Sequence, residues 1–264
     1  MTSKFKLLAV GFVAALTLSA SAMAAEAEPP FRDAGFSFEG PFGTYDRAAA
    51  QRGLQVFRQV CSGCHSLKYL AFRNLTDLGY SVEQAKAIAA EYQIEDGPDD
   101  SGEMFMRPGR LSDHMPSPFA NEVVARLANN GALPPDLSLI VKAREGGADY
   151  VYSLLTGYGD PPPGEVLRPG QYWNAYFRGH KLAMPQPLFD GVVSYEDGTE
   201  PTLEQEAKDI VTFLAWVAEP HMEARKEMGL SFLIYMAAFA VLLYLTNKRI
   251  WRPVKEGFNP LGEK

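Results

Sequence analysis

A mainly helical domain with long loops, followed by one membrane-crossing helix near the C-terminus, is what three features of this 264-residue chain predict. Apolar residues recur at helical spacing in several segments, while convincing alternating strands are scarce. Glycine (23) and proline (19) make up 42 residues, which places long connections between modest helices. Met228 to Asn247 is a 20-residue run with no charged side chain, long enough at about 1.5 Å per residue to cross a hydrocarbon core of about 30 Å.

Taken in order, residues 1–24 read as a secretory signal. Lys4 and Lys6 precede an apolar stretch from Leu7 to Ala20, and Ala22-Met23-Ala24 offers small residues for cleavage. The apolar core is too short for an uncleaved anchor, so the mature chain is expected to start at Ala25. Residues 25–227 suffice for one sizeable core, and no internal repeat is present.

Five helices are expected in that domain. The first, about Tyr45 to Val60, carries Ala50, Leu54, Phe57 and Val60 at helical spacing. The second, about Ser81 to Tyr92, opens on a Ser81/Gln84 capping box. The third, Asn121 to Asn129, is closed by Gly131, and the fourth, Asp149 to Thr156, by Gly157. The fifth opens on Thr202 with Gln205, lines up Ala207, Ile210, Val211, Leu214 and Val217, and stops at Pro220. The span 228–247 follows as the transmembrane helix, and 248–264 as a tail. Lys248, Arg249, Arg252 and Lys255 put that tail in the cytoplasm by the positive-inside rule, so the domain before the anchor faces the periplasm of a bacterial inner membrane.

Charge narrows the partners. The formal net charge is −7; without Lys4, Lys6 and the net +3 of residues 248–264, residues 25–247 carry −12. So acidic a domain argues against nucleic acid and against anionic lipid heads, and suits a basic soluble partner.

Cys61-Ser62-Gly63-Cys64-His65 carries the chemistry. Two thiols three residues apart on one turn reach both vinyl groups of one porphyrin, and the adjacent imidazole then lies under the iron. The pattern therefore predicts one covalently bound haem c, and no third cysteine remains for another. A zinc site would need four ligands from two cysteines and the scattered His114, His180 and His221 besides His65. A redox dithiol would not require a histidine directly after its second cysteine.

An electron-transfer haem keeps both axial positions filled, with Met/His coordination raising the potential. Outside the signal, the anchor and its approach, Met104, Met106, Met115 and Met184 remain. Met184 lies in the proline-stiffened run Lys181-Leu182-Ala183-Met184-Pro185-Gln186-Pro187-Leu188, which lowers the entropy lost on pinning a thioether to iron. Met104 and Met106 compete, though both also suit core packing beside Phe105, and His180 would give a bis-histidine alternative. The first and fifth helices can pack together, leaving the long stretch from Leu67 to Pro201 to wrap the haem or meet partners.

Several longer runs accompany the motif. They are Asp96-Gly97-Pro98, Gly102-Glu103-Met104-Phe105-Met106-Arg107-Pro108-Gly109, Ala128-Asn129-Asn130-Gly131-Ala132-Leu133-Pro134-Pro135-Asp136-Leu137-Ser138 and Asp149-Tyr150-Val151-Tyr152-Ser153-Leu154-Leu155-Thr156-Gly157-Tyr158. With the signal and anchor, these make essentially the whole mature chain similar to the cytochrome c1 family, the haem subunits of the cytochrome bc1 complex, bacterial type.

The resemblance implies a class I cytochrome c-like haem domain in which Met184 is the sixth ligand opposite His65. It also implies Arg126 near a haem propionate, Pro134 and Pro135 lining the porphyrin on the His65 side with a carbonyl fixing the imidazole, and Asn129 and Tyr152 as weaker lining residues. Some bacterial relatives close a loop ahead of the methionine with an extra cysteine pair; this chain has no thiols to spare.

The implied function is electron transfer within ubiquinol–cytochrome c oxidoreductase, with no catalytic acid or nucleophile in this subunit and so no enzyme activity by itself. One electron would come from the Rieske iron–sulfur protein and pass to a soluble or membrane-tethered c-type cytochrome, within a dimeric complex containing cytochrome b. Glu91, Glu95, Asp96, Asp99, Asp100 and Glu103 form an acidic stretch suited either to steering a basic acceptor or to solubility alone. A stand-alone membrane-anchored cytochrome and a haem enzyme or gas sensor with an open iron position are the alternative classes.

Overall fold

The computed structural model describes residues 29–257. The signal expected over residues 1–24 lies outside the described residues, as does the tail beyond residue 257. The architecture is mainly helical. An α-helix α1 (Arg47–Val56) runs into a single π-helical turn, Phe57–Cys61, and a 3-10 segment, Phe72–Leu78, precedes α2 (Val82–Ala90). Strands β1 (Gln93–Asp96) and β2 (Phe105–Pro108) form an antiparallel hairpin in which Gln93 faces Pro108 and Asp96 faces Phe105. Helices α3 (Glu122–Ala128), α4 (Ile140–Ala143) and α5 (Gly147–Thr156) come next, then a second antiparallel ladder of β3 (Tyr172–Trp173) and β4 (Lys181–Leu182). Two long helices, α6 (Leu203–Ala218) and α7 (Met222–Lys255), come last among the described residues.

Local chemistry explains most boundaries. Asp46 caps α1 by accepting from the Ala49 amide at 3.1 Å, and Ser81 and Gln84 close the reciprocal box on α2. Asn121 caps α3, whose last turn is closed by the Gly131 amide donating to the Arg126 carbonyl at 2.7 Å with Gly131 at φ +87°. Thr202 accepts from the Gln205 amide, but the Gln205 side chain turns forward to Asp209, so only half of the expected box forms on α6. Gly157 ends α5 at φ −101°, outside the left-handed region. It is needed for space: a Cβ there would lie 2.4 Å from the Tyr176 ring.

The core is built where α1 crosses α6, with α4 and α5 packed on α6. Leu54, Phe57, Phe213 and Trp216 are almost fully buried there, each contributing about 1.5–3 kcal/mol by leaving water. Gly53 permits the crossing, since a Cβ would meet the Asp209 carbonyl oxygen at 2.1 Å and the Phe213 Cβ at 2.6 Å. Beside it Arg52 makes a two-pronged ion pair with the fully buried Asp209, at 2.8 and 2.9 Å.

Helix α7 contains the charge-free run 228–247 whole, and its apolar side chains, from Met228 through Phe232, Phe239 and Leu242 to Leu245, are exposed. Its first turn belongs to the core instead: Met222 is buried, Glu223 accepts from the Tyr45 amide and pairs with Arg47, and Lys226 donates to the Phe38 and Gly43 carbonyls. Gly53→Ala is expected to force α1 from α6 and lower unfolding free energy by about 1–3 kcal/mol, as overpacking does, in a denaturant titration.

Candidate haem-binding site

The motif sits where α1 ends. In the π turn the Ser62 amide reaches back five residues to the Phe57 carbonyl at 2.8 Å, and the Ser62 hydroxyl donates to the Arg58 carbonyl at 2.8 Å. The Cys64 and His65 amides then both donate to the Cys61 carbonyl, at 3.1 and 2.9 Å. Phe57, buried against the Phe213 ring at 6.2 Å, pins the start of this turn to α6. The two thiols and the imidazole are thus carried on one turn fixed to the core at its base.

His65 is oriented from the other side. Its Nδ1 lies 2.7 Å from the Pro135 carbonyl oxygen, which can only accept, so Nδ1 carries the proton and Nε2 keeps a free lone pair. Burial pushes the imidazole pKa below its usual value, against the Pro135 carbonyl and the Asp136 charge, which favours the neutral ring a metal requires.

The Pro134–Pro135 loop is clipped to the motif by Asp136. Its carboxylate accepts from the Ser66 hydroxyl at 2.7 Å, the Lys68 amide at 2.9 Å and the Ser138 amide at 3.0 Å, while the Leu137 amide donates to the Ser66 carbonyl. Burial works against the Asp136 charge, but these donors outweigh it and hold its carboxyl below the usual carboxylate range. This clip was not anticipated from sequence. Its signal is the Asp136-Leu137-Ser138 spacing directly after the prolines, an aspartate able to bond a backbone amide two residues on.

Neither cysteine is in a disulfide; Cys61 is half-buried and Cys64 exposed. Burial, with Cys64 adding to it, pushes the Cys61 thiol up to about 12, the opposite of the lowered value a redox dithiol uses. The other histidines lie elsewhere: His114 bridges Ala71, His180 stacks on Trp173 with its Nδ1 3.1 Å from the Asn174 carbonyl, and His221 precedes α7. Among the described residues no group of three or more His, Cys, Asp or Glu side chains is placed to hold a bare metal ion.

Of the candidate methionines, Met104 and Met106 are exposed on the β1–β2 hairpin and Met115 is buried in the core. Met184 is half-buried against the core just after β4, with its carbonyl accepting from the Tyr158 hydroxyl at 3.1 Å. Arg126 is exposed on α3 and donates once, to the Gly131 carbonyl at 3.2 Å, leaving most of its guanidinium donors free. Pro134 is half-buried, Asn129 caps α3 through the Ala125 carbonyl, and Tyr152 packs edge-on against Phe36.

A cavity of about 310 Å³ opens beside the turn between Gln55, Arg58, Gln59, Ser62, Glu91 and Tyr92, but so polar a lining does not suit a porphyrin face. Two unbonded thiols on one turn and a histidine with its outer nitrogen already engaged do fit a covalent haem.

Known proteins resemble the chain over most of its length. The sequence model of the Cytochrome C1 family matches residues 36–254. The chain is 45% identical over 268 residues to cytochrome c1 of Rhodospirillum rubrum, covering 96% of this chain and 98% of that protein. It is 49% identical over 229 residues to the mitochondrial cytochrome c1 haem protein of Saccharomyces cerevisiae, covering 85% and 74%. To the cytochrome b/c1 of Bradyrhizobium diazoefficiens it is 50% identical over 238 residues, covering 82% of this chain but 35% of that longer protein.

Asp136→Ala is expected to strip partners from Ser66, Lys68 and Ser138 and to destabilise the fold by about 2–3 kcal/mol in denaturant unfolding. Asp136→Asn, which keeps an acceptor, should cost less.

Proposed function

The chain belongs to the cytochrome c1 family, the haem subunits of the bc1 complex of electron transport, and from that premise we propose its working parts. Cys61 and Cys64 would hold one haem c through thioether bonds, His65 and Met184 would ligate its iron, Arg126 would neutralise a propionate and Pro134 would line the ring. When bound, the haem supplies one-electron redox chemistry. The single observation that carries this reading is the 2.7 Å contact of His65 Nδ1 with the Pro135 carbonyl beside two unbonded cysteines.

The protein's own residues bind and orient. The π turn presents both sulfurs, the Pro135 carbonyl fixes the imidazole, and the Asp136 clip keeps that carbonyl in place. With His65 and Met184 both holding the iron, the haem would offer one-electron transfer with little rearrangement. The electron comes from the Rieske iron–sulfur protein and leaves to a soluble or membrane-tethered c-type cytochrome. Cytochrome b is the further partner, in a dimeric complex.

The exposed apolar length of α7 supports a single-pass anchor over residues 228–247, following the domain of residues 25–227. The basic residues at its end support a bacterial inner-membrane topology with the haem domain in the periplasm, residues 248–264 in the cytoplasm and residues 1–24 removed as a signal.

The acidic stretch is a candidate dock for a basic acceptor. Two of its six carboxylates are paired with arginines, Glu91 with Arg58 and Asp96 with Arg107, and Asp99 accepts from Ser101 and the Glu103 amide; Glu95, Asp99, Asp100 and Glu103 stay exposed around the β1–β2 hairpin. Raising ionic strength is expected to slow electron delivery to a basic cytochrome in stopped-flow measurements; a rate indifferent to salt rejects steering.

Met184→Leu should leave the haem attached but lower its midpoint potential by a substantial part of the about 0.8 V range that axial ligands command. An unaltered potential removes Met184 as ligand. Purification in mild detergent, with a spectrum and a subunit list, tests the whole assignment: co-purification with a multi-haem cytochrome b and an iron–sulfur subunit is expected, and isolation alone contradicts it.

A further inference from the structure

Glu206 is an acidic side chain that the proposed function leaves unused. It lies in the first turns of α6, is fully buried, and uses one oxygen, Oε1, to accept from the Val193 amide at 3.0 Å. The other, Oε2, has no hydrogen-bond partner among the described residues. Burying a carboxyl with half of its bonding capacity empty costs several kcal/mol if charged. Burial raises its pKa above the usual carboxylate range, with Asp190 and Asp209 adding to the shift against the Val193 and Val192 amides.

The bond it makes is placed with purpose. Val193 is fully buried in the strap that runs from Met184 to α6, and that strap has no disulfide. At its start the Tyr158 hydroxyl holds the Met184 carbonyl, Pro185 and Pro187 stiffen the next residues, Gln186 donates to the Leu188 carbonyl, and Leu188 is buried. Farther along, Gln55 donates to the Ser194 carbonyl from α1, and Arg52 ties Asp197 to the same guanidinium that holds Asp209. Asp190 accepts from the Leu203 amide, and the Gly191 amide donates to the Pro201 carbonyl, closing the strap onto the start of α6. Of these anchors, Glu206 alone reaches a strap amide from inside the core.

We propose that Glu206 is the positioning residue for the sixth ligand: by holding the Val193 amide it pins the strap to α6 and keeps the Met184 thioether on the iron. The inference rests on Met184 being that ligand. Loss of the acceptor leaves a buried amide unpaired and frees the strap from its deepest anchor.

The test uses the full haem-loaded chain in detergent, with Glu206→Ala, Glu206→Leu, Glu206→Gln and Met184→Leu compared with the wild type. Glu206→Ala and the volume-preserving Glu206→Leu should keep covalent haem, lose the sulfur-to-iron charge-transfer band of the ferric form, and bind carbon monoxide when reduced at least about tenfold more readily, the scale of one unpaired buried amide. Glu206→Gln keeps an acceptor and should retain both band and closure. Intact bands and wild-type carbon monoxide reactivity in the Ala and Leu variants overturn the inference.

The Met184→Leu control separates the two claims. If it leaves the band unchanged, the ligand assignment has failed rather than the role of Glu206. Should the Ala and Leu variants not accumulate, hydrogen exchange on the wild type decides: a protected Val193 amide is expected, and exchange as fast as at the exposed Gly198 overturns the proposal.

Discussion

The placement of the haem motif depends on how closely α1 approaches α6. Gly53 lets the two backbones meet where any Cβ would overlap the Asp209 carbonyl, and the adjacent Arg52 locks the same point by pairing with a carboxylate that has no access to water. Phe57 and Phe213 extend the contact by one turn, up to the residue at which α1 loosens into a π turn. The motif therefore leaves the core from a fixed point. A helix free to slide over its neighbour could not hold two sulfurs and an imidazole in register with one rigid ring.

Three further segments are tied to the motif or to the core that carries it. The Pro134–Pro135 loop reaches His65 through a backbone carbonyl and is held by Asp136, whose three donors come from both sides of the contact. The strap after Met184 is held from α1 by Gln55 and Arg52 and from α6 by Glu206. Helix α7 is joined to the same core through Glu223 and Lys226, while Glu219, at the end of α6, pairs with Lys142 and Arg225. These bonds tie the base of the long apolar helix to the domain, so α7 leaves the core through folded structure and not through a loose linker.

Much of this was legible in the sequence. The helices with strong apolar periodicity, α1 and α6, lie close to their expected bounds because the stripe that defines them is the stripe that packs. The Ser81/Gln84 box was readable because both its bonds are local. Short elements held by tertiary contacts were not: α4 has four residues, and β1 and β2 pair across a turn whose stability comes from Arg107 bridging Asp96 and Asp113. Gly157 was expected to end α5 by its conformation, but Tyr176, distant in sequence, is what excludes a side chain there. At the site, a carbonyl on His65 was anticipated, whereas the Asp136 clip and the buried Glu206 depend on contacts that no single segment reveals.

One turn of backbone, fixed at Phe57 and opposed by Pro135, would carry two thioether-forming sulfurs and a ligating imidazole for one haem. The most direct measurement is the intact mass of the chain after maturation in a host that attaches c-type haem, followed by complete denaturation and separation from small molecules. The account predicts a polypeptide heavier by one haem that still absorbs in the visible. A denatured chain at the mass of the bare polypeptide, with the tetrapyrrole gone, would contradict it.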